Sequence, residues 1–204
     1  MSDRISGFSL AGSFAALLAA SSLHARADGV NPKIVDAGAY SFSDELGGFR
    51  ILSAAGAGTR DDPIVVTEEL ESADPVTLTI RAIRPIQPFG VSGNYATGFL
   101  PLKIIALNNS THAWIEFEFE LQSILDQPSD YGDGLSFDQA HREADAIKSD
   151  SFAEFNRKFE PYDRLLFLHG KVDPLHSASF SFLITDFSPK ERFWLLEEPR
   201  IPSS

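Results

Sequence analysis

Apolar and polar residues alternate along several stretches of the chain, and this period of two is typical of β-strands with one buried face. It is clearest in residues 113–122, where Ile115, Phe117, Phe119 and Leu121 occupy every second position. The segments with a strand pattern are 49–52, 63–68, 77–83, 98–107, 113–122, 164–168, 179–185 and 191–196. Because strands of a parallel sheet are buried on both faces and read as continuous aliphatic runs, the alternation favours antiparallel pairing.

Short clusters of Gly, Asp, Asn and Pro separate these segments, as expected for turns. Seven or eight short strands joined by turns predict an all-β fold, an antiparallel β-sandwich of the Ig-like or jelly-roll-like kind. We expect residues 40–204 to form this single domain and residues 28–39 to form an N-terminal linker before it.

One stretch, residues 137–159, departs from the alternation and is rich in helix formers. Ala140, Ala144 and Ile147 follow one another at spacings of four and three, which is the spacing of one helix face. Ser149 or Ser151 can cap a second helical turn. The sequence therefore predicts a small helical insertion at about 137–159, packed against the sandwich.

Residues 1–27 have the pattern of an export signal. An uncharged run of small and apolar residues from Phe8 to Leu23 follows the single early cation, Arg4, and ends at the A-x-A sequence of Ala25 and Ala27. We expect cleavage after Ala27 and a mature protein that is periplasmic or secreted, with no transmembrane anchor left after cleavage.

Composition narrows the possible functions. The chain has 204 residues, with 17 basic against 29 acidic residues and a net charge of −12, which argues against a nucleic-acid partner because such binding needs a basic face. It contains no cysteine, which excludes disulfides, thiolate metal sites and cysteine nucleophiles. Seventeen phenylalanines are available to fill a core that no disulfide supports.

The strongest candidate for chemistry is the polar side of the segment 113–122, which carries Trp114, Glu116, Glu118 and Glu120. Carboxylates spaced about 6.6 Å apart along a strand raise each other's proton affinity, as the paired acids of glycosidases do. An aromatic ring beside Glu116 and Glu118 also suits the face of a sugar. The same pattern is equally typical of an amphipathic strand whose solvent face is acidic.

The E-x-E-x-E spacing of this segment is similar to the E-x-D-x-E strand of jelly-roll glycanases. That resemblance implies a glycan hydrolase in which Glu116, Glu118 and Glu120 carry catalysis. The segment departs from the pattern at its centre, where Glu118 replaces the aspartate and moves the carboxylate by one methylene.

A second candidate is the acidic loop that contains Asp130, Asp133 and Asp138. Calcium prefers several carboxylate and carbonyl oxygens from a flexible loop, so these residues predict a possible calcium site and otherwise no cofactor. The EF-hand spacing fails, because a loop that starts at Asp130 has His141 at its twelfth position. The alternative reading of Asp133-Gly134 is an ordinary turn.

The order of several motifs resembles that of uncharacterised secreted bacterial β-sandwich modules, which occur on surface-exposed and anchored proteins. The motifs are an N-N-S-T loop at 108–111, AWIEFEFEL at 113–121, DGLSFD at 133–138, DRLLF at 163–167, F-x-F-x-I-x-D at 180–186 and FWLLEEP at 193–199. The resemblance covers roughly residues 40–202 and implies the fold and the compartment, with no activity to carry over.

Together these observations favour an exported, non-enzymatic β-sandwich protein with an interaction, surface or structural role. A glycan or a protein at the cell surface is the expected partner, and the oligomeric state is left open. The alternative is a divergent glycan-binding or glycan-hydrolysing jelly roll that uses the strand face of Trp114, Glu116, Glu118 and Glu120.

Overall fold

The computed structural model describes residues 31–130, 132–138 and 146–202. These residues form an all-β structure without any helix. The strands in chain order are β1 (Ile34–Ala37), β2 (Tyr40–Ser43), β3 (Phe49–Ala55), β4 (Ile64–Leu70), β5 (Val76–Ala82), β6 (Phe99–Asn108), β7 (Glu116–Gln122), β8 (Leu135–Phe137), β9 (Lys148–Ser149), β10 (Phe152–Asn156), β11 (Arg164–Gly170), β12 (Ser177–Asp186) and β13 (Arg192–Arg200). The predicted export signal, residues 1–27, lies outside the described residues.

The strands form two sheets. A seven-stranded sheet has the order β1-β2-β5-β13-β7-β11-β10, and a six-stranded sheet has the order β3-β4-β6-β12-β8, with β9 also paired to β12. Neither sheet closes into a barrel, so the prediction of an all-β, sandwich-like fold is confirmed. All pairs are antiparallel except β4 with β6, which run parallel from Ile64 opposite Leu102 to Leu70 opposite Asn108. The pairing is therefore mixed.

Each of the eight segments with a strand pattern contains a strand in the structure, and apolar side chains of each one lie in the core. The strands that the alternation did not indicate are short. One of them, Ile34–Ala37, lies within the predicted linker 28–39, where it pairs antiparallel with Tyr40–Ser43 at the edge of the seven-stranded sheet. Part of the segment predicted as a linker is therefore a strand of the sheet.

Phenylalanines from facing strands join the two sheets. Phe117 and Phe119 on β7 contact Phe180 and Phe182 on β12, with ring centroids 4.6 Å apart for Phe117 and Phe180 and 5.0 Å apart for Phe119 and Phe182. Phe167 on β11 contacts Phe180 at 5.0 Å. These rings are buried, and their tilted and edge-on arrangements are the favourable ones for aromatic pairs.

The predicted helical insertion at 137–159 is not present in the described residues. Lys148–Ser149 and Phe152–Asn156 are strands, and the segment 139–145, which holds Ala140 and Ala144, lies outside the described residues. Phe152 pairs with Gly170 of β11 and stacks on Phe180, with ring centroids 5.7 Å apart. The open edge of β11 offers backbone hydrogen bonds that decide the conformation of this segment against its helical propensity.

The two predicted caps also have other roles. The Ser149 hydroxyl oxygen accepts a hydrogen bond from the Ser151 N–H at 3.1 Å, within a short turn. Between them, Asp150 accepts hydrogen bonds from both the backbone N–H and the hydroxyl of Ser179, at 2.8 and 2.7 Å. These bonds attach the segment to β12.

The described residues contain no helix that could span a membrane.

We expect Phe180→Ala to lower the free energy of unfolding by about 3–5 kcal/mol, because it removes a fully buried ring that contacts both sheets. Urea unfolding followed by circular dichroism measures this loss. The matched control is Phe89→Ala, since Phe89 is 84% exposed and its removal leaves the core intact. Equal losses in the two variants would contradict the role given to Phe180.

Candidate functional site

The three predicted glutamates lie on the outer side of β7, near the middle of the seven-stranded sheet. The inward residues of β7, Phe117 and Phe119, fill the core, so Glu116, Glu118 and Glu120 point away from it. Strand β13 flanks β7 on one side and β11 on the other. Pairing therefore places residues of these two strands directly beside the glutamates.

Two arginines from the flanking strands hold these glutamates. Arg164 of β11 lies opposite Glu120, and its Nη2 atom is 2.6 Å from Oε2 of that residue. Arg200 of β13 lies opposite Glu116, and its Nη2 atom is 2.5 Å from Oε2 of Glu118. The structure thus brings the predicted glutamates together, within a network of ion pairs that connects three strands.

Burial and charge act in opposite directions on Glu118, which is only 5% exposed. Burial raises its pKa above the usual glutamate range, while Arg200 and Arg164 oppose that rise. Glu120 is 4% exposed and also accepts a hydrogen bond from the Gln122 amide at 2.8 Å. Since their oxygens are engaged by arginine and amide groups, these carboxylates have the geometry of a structural network.

The prediction that Trp114 lies on the glutamate face is wrong. The strand begins at Glu116, and Trp114 precedes it in an isolated bridge to Val172, so the alternation does not extend back to the tryptophan. Its ring is fully buried and contacts Phe117, which lies on the core side, with centroids 5.4 Å apart. The ring is therefore not available as a platform for a sugar.

The predicted calcium ligands are not brought together as a metal site. Within residues 31–130, 132–138 and 146–202 there is no group of three or more acidic or histidine side chains arranged to hold a metal ion. Asp133 accepts hydrogen bonds from the Ser123 and Ser129 hydroxyls at 2.6 and 2.8 Å. Asp130 accepts one from the Gly132 N–H at 2.8 Å, which is a local turn. Asp138 is buried.

The pKa of Asp133 agrees with a structural role. Burial alone would raise it, but hydrogen bonds from Ser123, the Leu135 N–H and Ser129 outweigh burial and hold the pKa below the usual aspartate range. At nearby Asp163 burial outweighs hydrogen bonding, and it raises the pKa to about 6. The loop is therefore held by its own hydrogen bonds.

A different feature of the same sheet has the character of a binding site. A cleft of about 1180 Å³ opens where β5 ends and β13 begins. We call it the cationic cleft, and the residues on which its character depends are Arg81, Arg84, Lys190, Glu191, Arg192 and Trp194. Among the described residues that line it, four are cationic and one is acidic, in a chain with a net charge of −12.

The cations of the cleft are arranged against electrostatic preference. Arg81 and Arg192 lie directly opposite each other across the antiparallel pair of β5 and β13, where like charges are destabilising. Glu45 pairs with Arg81, and that hydrogen bond, opposed by partial burial, lowers the pKa of Glu45. The Arg192 guanidinium lies over the Trp194 ring, 4.8 Å from its centroid. Local conflicts of this kind are concentrated at functional sites.

The sequence analysis did not predict this cleft, because the acidic motifs are the more conspicuous pattern. The sequence does indicate cationic residues at the ends of two predicted strands, as R-x-x-R at 81–84 and K-E-R at 190–192. Their convergence depends on the pairing of β5 with β13, which are far apart in sequence.

Comparison of the chain with protein-family models, with curated proteins and with solved structures finds no match.

We expect Arg200→Met to lower the free energy of unfolding by about 1–3 kcal/mol at pH 7, because it leaves buried Glu118 with weaker compensation. Loss of the arginine raises the pKa of Glu118 further. The destabilisation should therefore shrink as the pH falls from 7 towards the ordinary glutamate value of 4.5, because Glu118 becomes protonated in the folded chain above that value. Denaturant unfolding between pH 4 and 7 measures both effects.

Lys171→Met is the control for Arg200→Met. Lys171 pairs with Asp173, and both side chains are more than half exposed, so this pair contributes little. If the decrease in the free energy of unfolding caused by Arg200→Met does not change with pH, the role assigned to Glu118 is contradicted.

Proposed function

We propose that this protein is an exported, non-enzymatic binding protein whose two-sheet scaffold presents the cationic cleft to an anionic glycan chain. The observation that carries the proposal is the convergence of four cations and a single acid on one cleft of a strongly acidic protein. Export is the sequence expectation from residues 1–27, and an Ig-like or jelly-roll-like topology belongs to the same proposal.

Electrostatics supports an anionic ligand. A concave surface lined by one sign of charge concentrates the field, and the negative charge elsewhere repels the same ligand, so binding is directed to the cleft. Arginine suits sulfate and carboxylate groups because its planar guanidinium donates two parallel hydrogen bonds. Arg84 lines the cleft and is exposed, so its guanidinium is accessible to such a group.

The dimensions of the cleft support a polymer over a small molecule. Typical small-molecule pockets hold about 300–1,000 Å³ and enclose their ligand. The cationic cleft is larger and lies open at the ends of two strands, so it does not enclose its ligand as such pockets do. Ile86 and Pro189 add apolar surface beside the cations, which suits the apolar face of a sugar ring.

We do not favour the alternative of a glycan hydrolase based on Glu116, Glu118 and Glu120. A glycosidase needs one protonated and one ionised carboxyl group that both face the substrate. Here Arg164 and Arg200 pair with the glutamates, and the cationic cleft is lined by other residues.

We expect dextran sulfate to bind the protein, and unsulfated dextran of the same length to bind much more weakly, in isothermal titration calorimetry. Replacing Arg84 and Lys190 by serine should weaken the binding of dextran sulfate by about tenfold for each side chain, because each loses a charge-assisted hydrogen bond. Raising the salt concentration should weaken binding to the wild type more than to this double variant.

The matched control replaces Lys103 and Lys148 by serine, which removes two positive charges from the six-stranded sheet, away from the cleft. Equal weakening in the two double variants would show nonspecific attraction and contradict the proposal. Tighter binding of single-stranded DNA than of dextran sulfate would contradict the choice of a glycan.

A further inference from the structure

Two glutamates face each other in the core between the sheets. Glu68 belongs to β4 of the six-stranded sheet and Glu197 to β13 of the seven-stranded sheet, and each has an exposed fraction of 0%. Both side chains point inward in strands whose outward residues are partly exposed or paired with cations. Carboxyl groups in such positions are rare, because burial of a charge without a partner is very costly.

Among the described residues, no cation or hydrogen-bond donor compensates these carboxyl groups. None of their four oxygens has a hydrogen-bond partner there, and each is inaccessible to solvent. Two carboxylates have no donor, so a hydrogen bond between Glu68 and Glu197 requires a proton on at least one of them. Burial and mutual repulsion favour the protonated forms, since they raise the pKa values of both groups.

The neighbours on every adjoining strand are apolar. Glu68 lies between Ile51 of β3 and Ala106 of β6, and Glu197 lies between Val76 of β5 and Phe119 of β7. Among the described residues, the titratable group that faces each glutamate is therefore the other glutamate. Arg50, Glu69, Glu198 and Arg200 belong to the same strands or their neighbours, but their contacts lie on the outer sides of the sheets.

We propose that Glu68 and Glu197 form a shared-proton link between the two sheets, which makes the cohesion of the sandwich depend on pH. With the proton present, an O–H···O hydrogen bond connects the sheets. When the proton leaves, two carboxylates repel each other in an apolar core and the sheets lose this connection. The protein is then most stable in mildly acidic surroundings and loosens above neutral pH.

The direction of this pH dependence follows from the pKa values of Glu68 and Glu197. Burial raises the pKa of Glu68 to about 7 and, with the repulsion from Glu68, holds the pKa of Glu197 well above its usual value of 4.5. A group whose pKa is higher in the folded chain contributes its full stability below the unfolded value, and this contribution is lost as the pH rises through the folded value. The loss therefore extends from about pH 4.5 to pH 7 and beyond.

The test compares the wild type with Glu68→Gln/Glu197→Gln. Two facing amides keep the shape and a hydrogen bond, since one NH₂ donates to the other carbonyl, and neither amide titrates. We expect the wild-type ratio of folded to unfolded protein to fall between about pH 5 and pH 8, relative to the double variant, by a factor on the order of a hundred. Denaturant unfolding at each pH measures the ratio.

Burial also raises the pKa values of Glu118, Asp163 and Asp186, and these residues are unchanged in the double variant, so the difference between the wild-type and double-variant profiles is the decisive quantity. The control Asp61→Asn/Glu71→Gln removes two charges from exposed side chains, and its profile should run parallel to that of the wild type. Parallel profiles for the wild type and the buried double variant would overturn the proposal.

A measurement on the wild type alone keeps the proposal testable if the buried variant does not fold. Carbon-13 NMR of the side-chain carboxyl groups should show two glutamate signals that titrate together and above pH 6. If every glutamate carboxyl signal titrates near 4.5, the shared proton does not exist. Neither outcome depends on the cationic cleft. The proposal for Glu68 and Glu197 and the proposal of glycan binding are therefore tested independently.

Discussion

The contact between the phenylalanines of β7 and β12 is the interaction on which the rest of the structure depends. The chain has no cysteine, so no disulfide joins the two sheets and aromatic packing is their main connection. Phe117 and Phe119 meet Phe180 and Phe182 in the interior, and β7 and β12 are interior strands of their respective sheets. Fixing the inner side of β7 also fixes its outer side, since successive side chains point in opposite directions. The glutamate network and its arginines are therefore positioned by the same packing.

Carboxyl groups occur in two different environments on these sheets. On the outer side, Glu118 and Glu120 are paired with arginines that are partly in water, so opposite charges compensate them. In the interior, Glu68 and Glu197 have no hydrogen-bond donor or cation beside them among the described residues, and burial raises the pKa values of both. The excess of acid in the composition conceals this difference, because residue counts do not tell which carboxyl groups are compensated.

Alternation predicted the long strands well, because a period of two with one buried face leaves few other conformations for residues such as 115–121 or 179–185. It failed where the pattern is short or ambiguous. Phe152 and Phe155 are spaced as on a helix, but the open edge of β11 makes them a strand. Trp114 continues the alternation in sequence, yet the strand begins only at Glu116. The cationic cleft and the facing glutamates depend on which strands meet, which no local pattern contains.

The position of β13 has a consequence for how the molecule is made. This last strand lies between β5 and β7, and it supplies backbone partners to both. During synthesis, β5 and β7 therefore lack the strand that lies between them until β13 has left the ribosome. Long-range pairing of this kind makes folding slow and late.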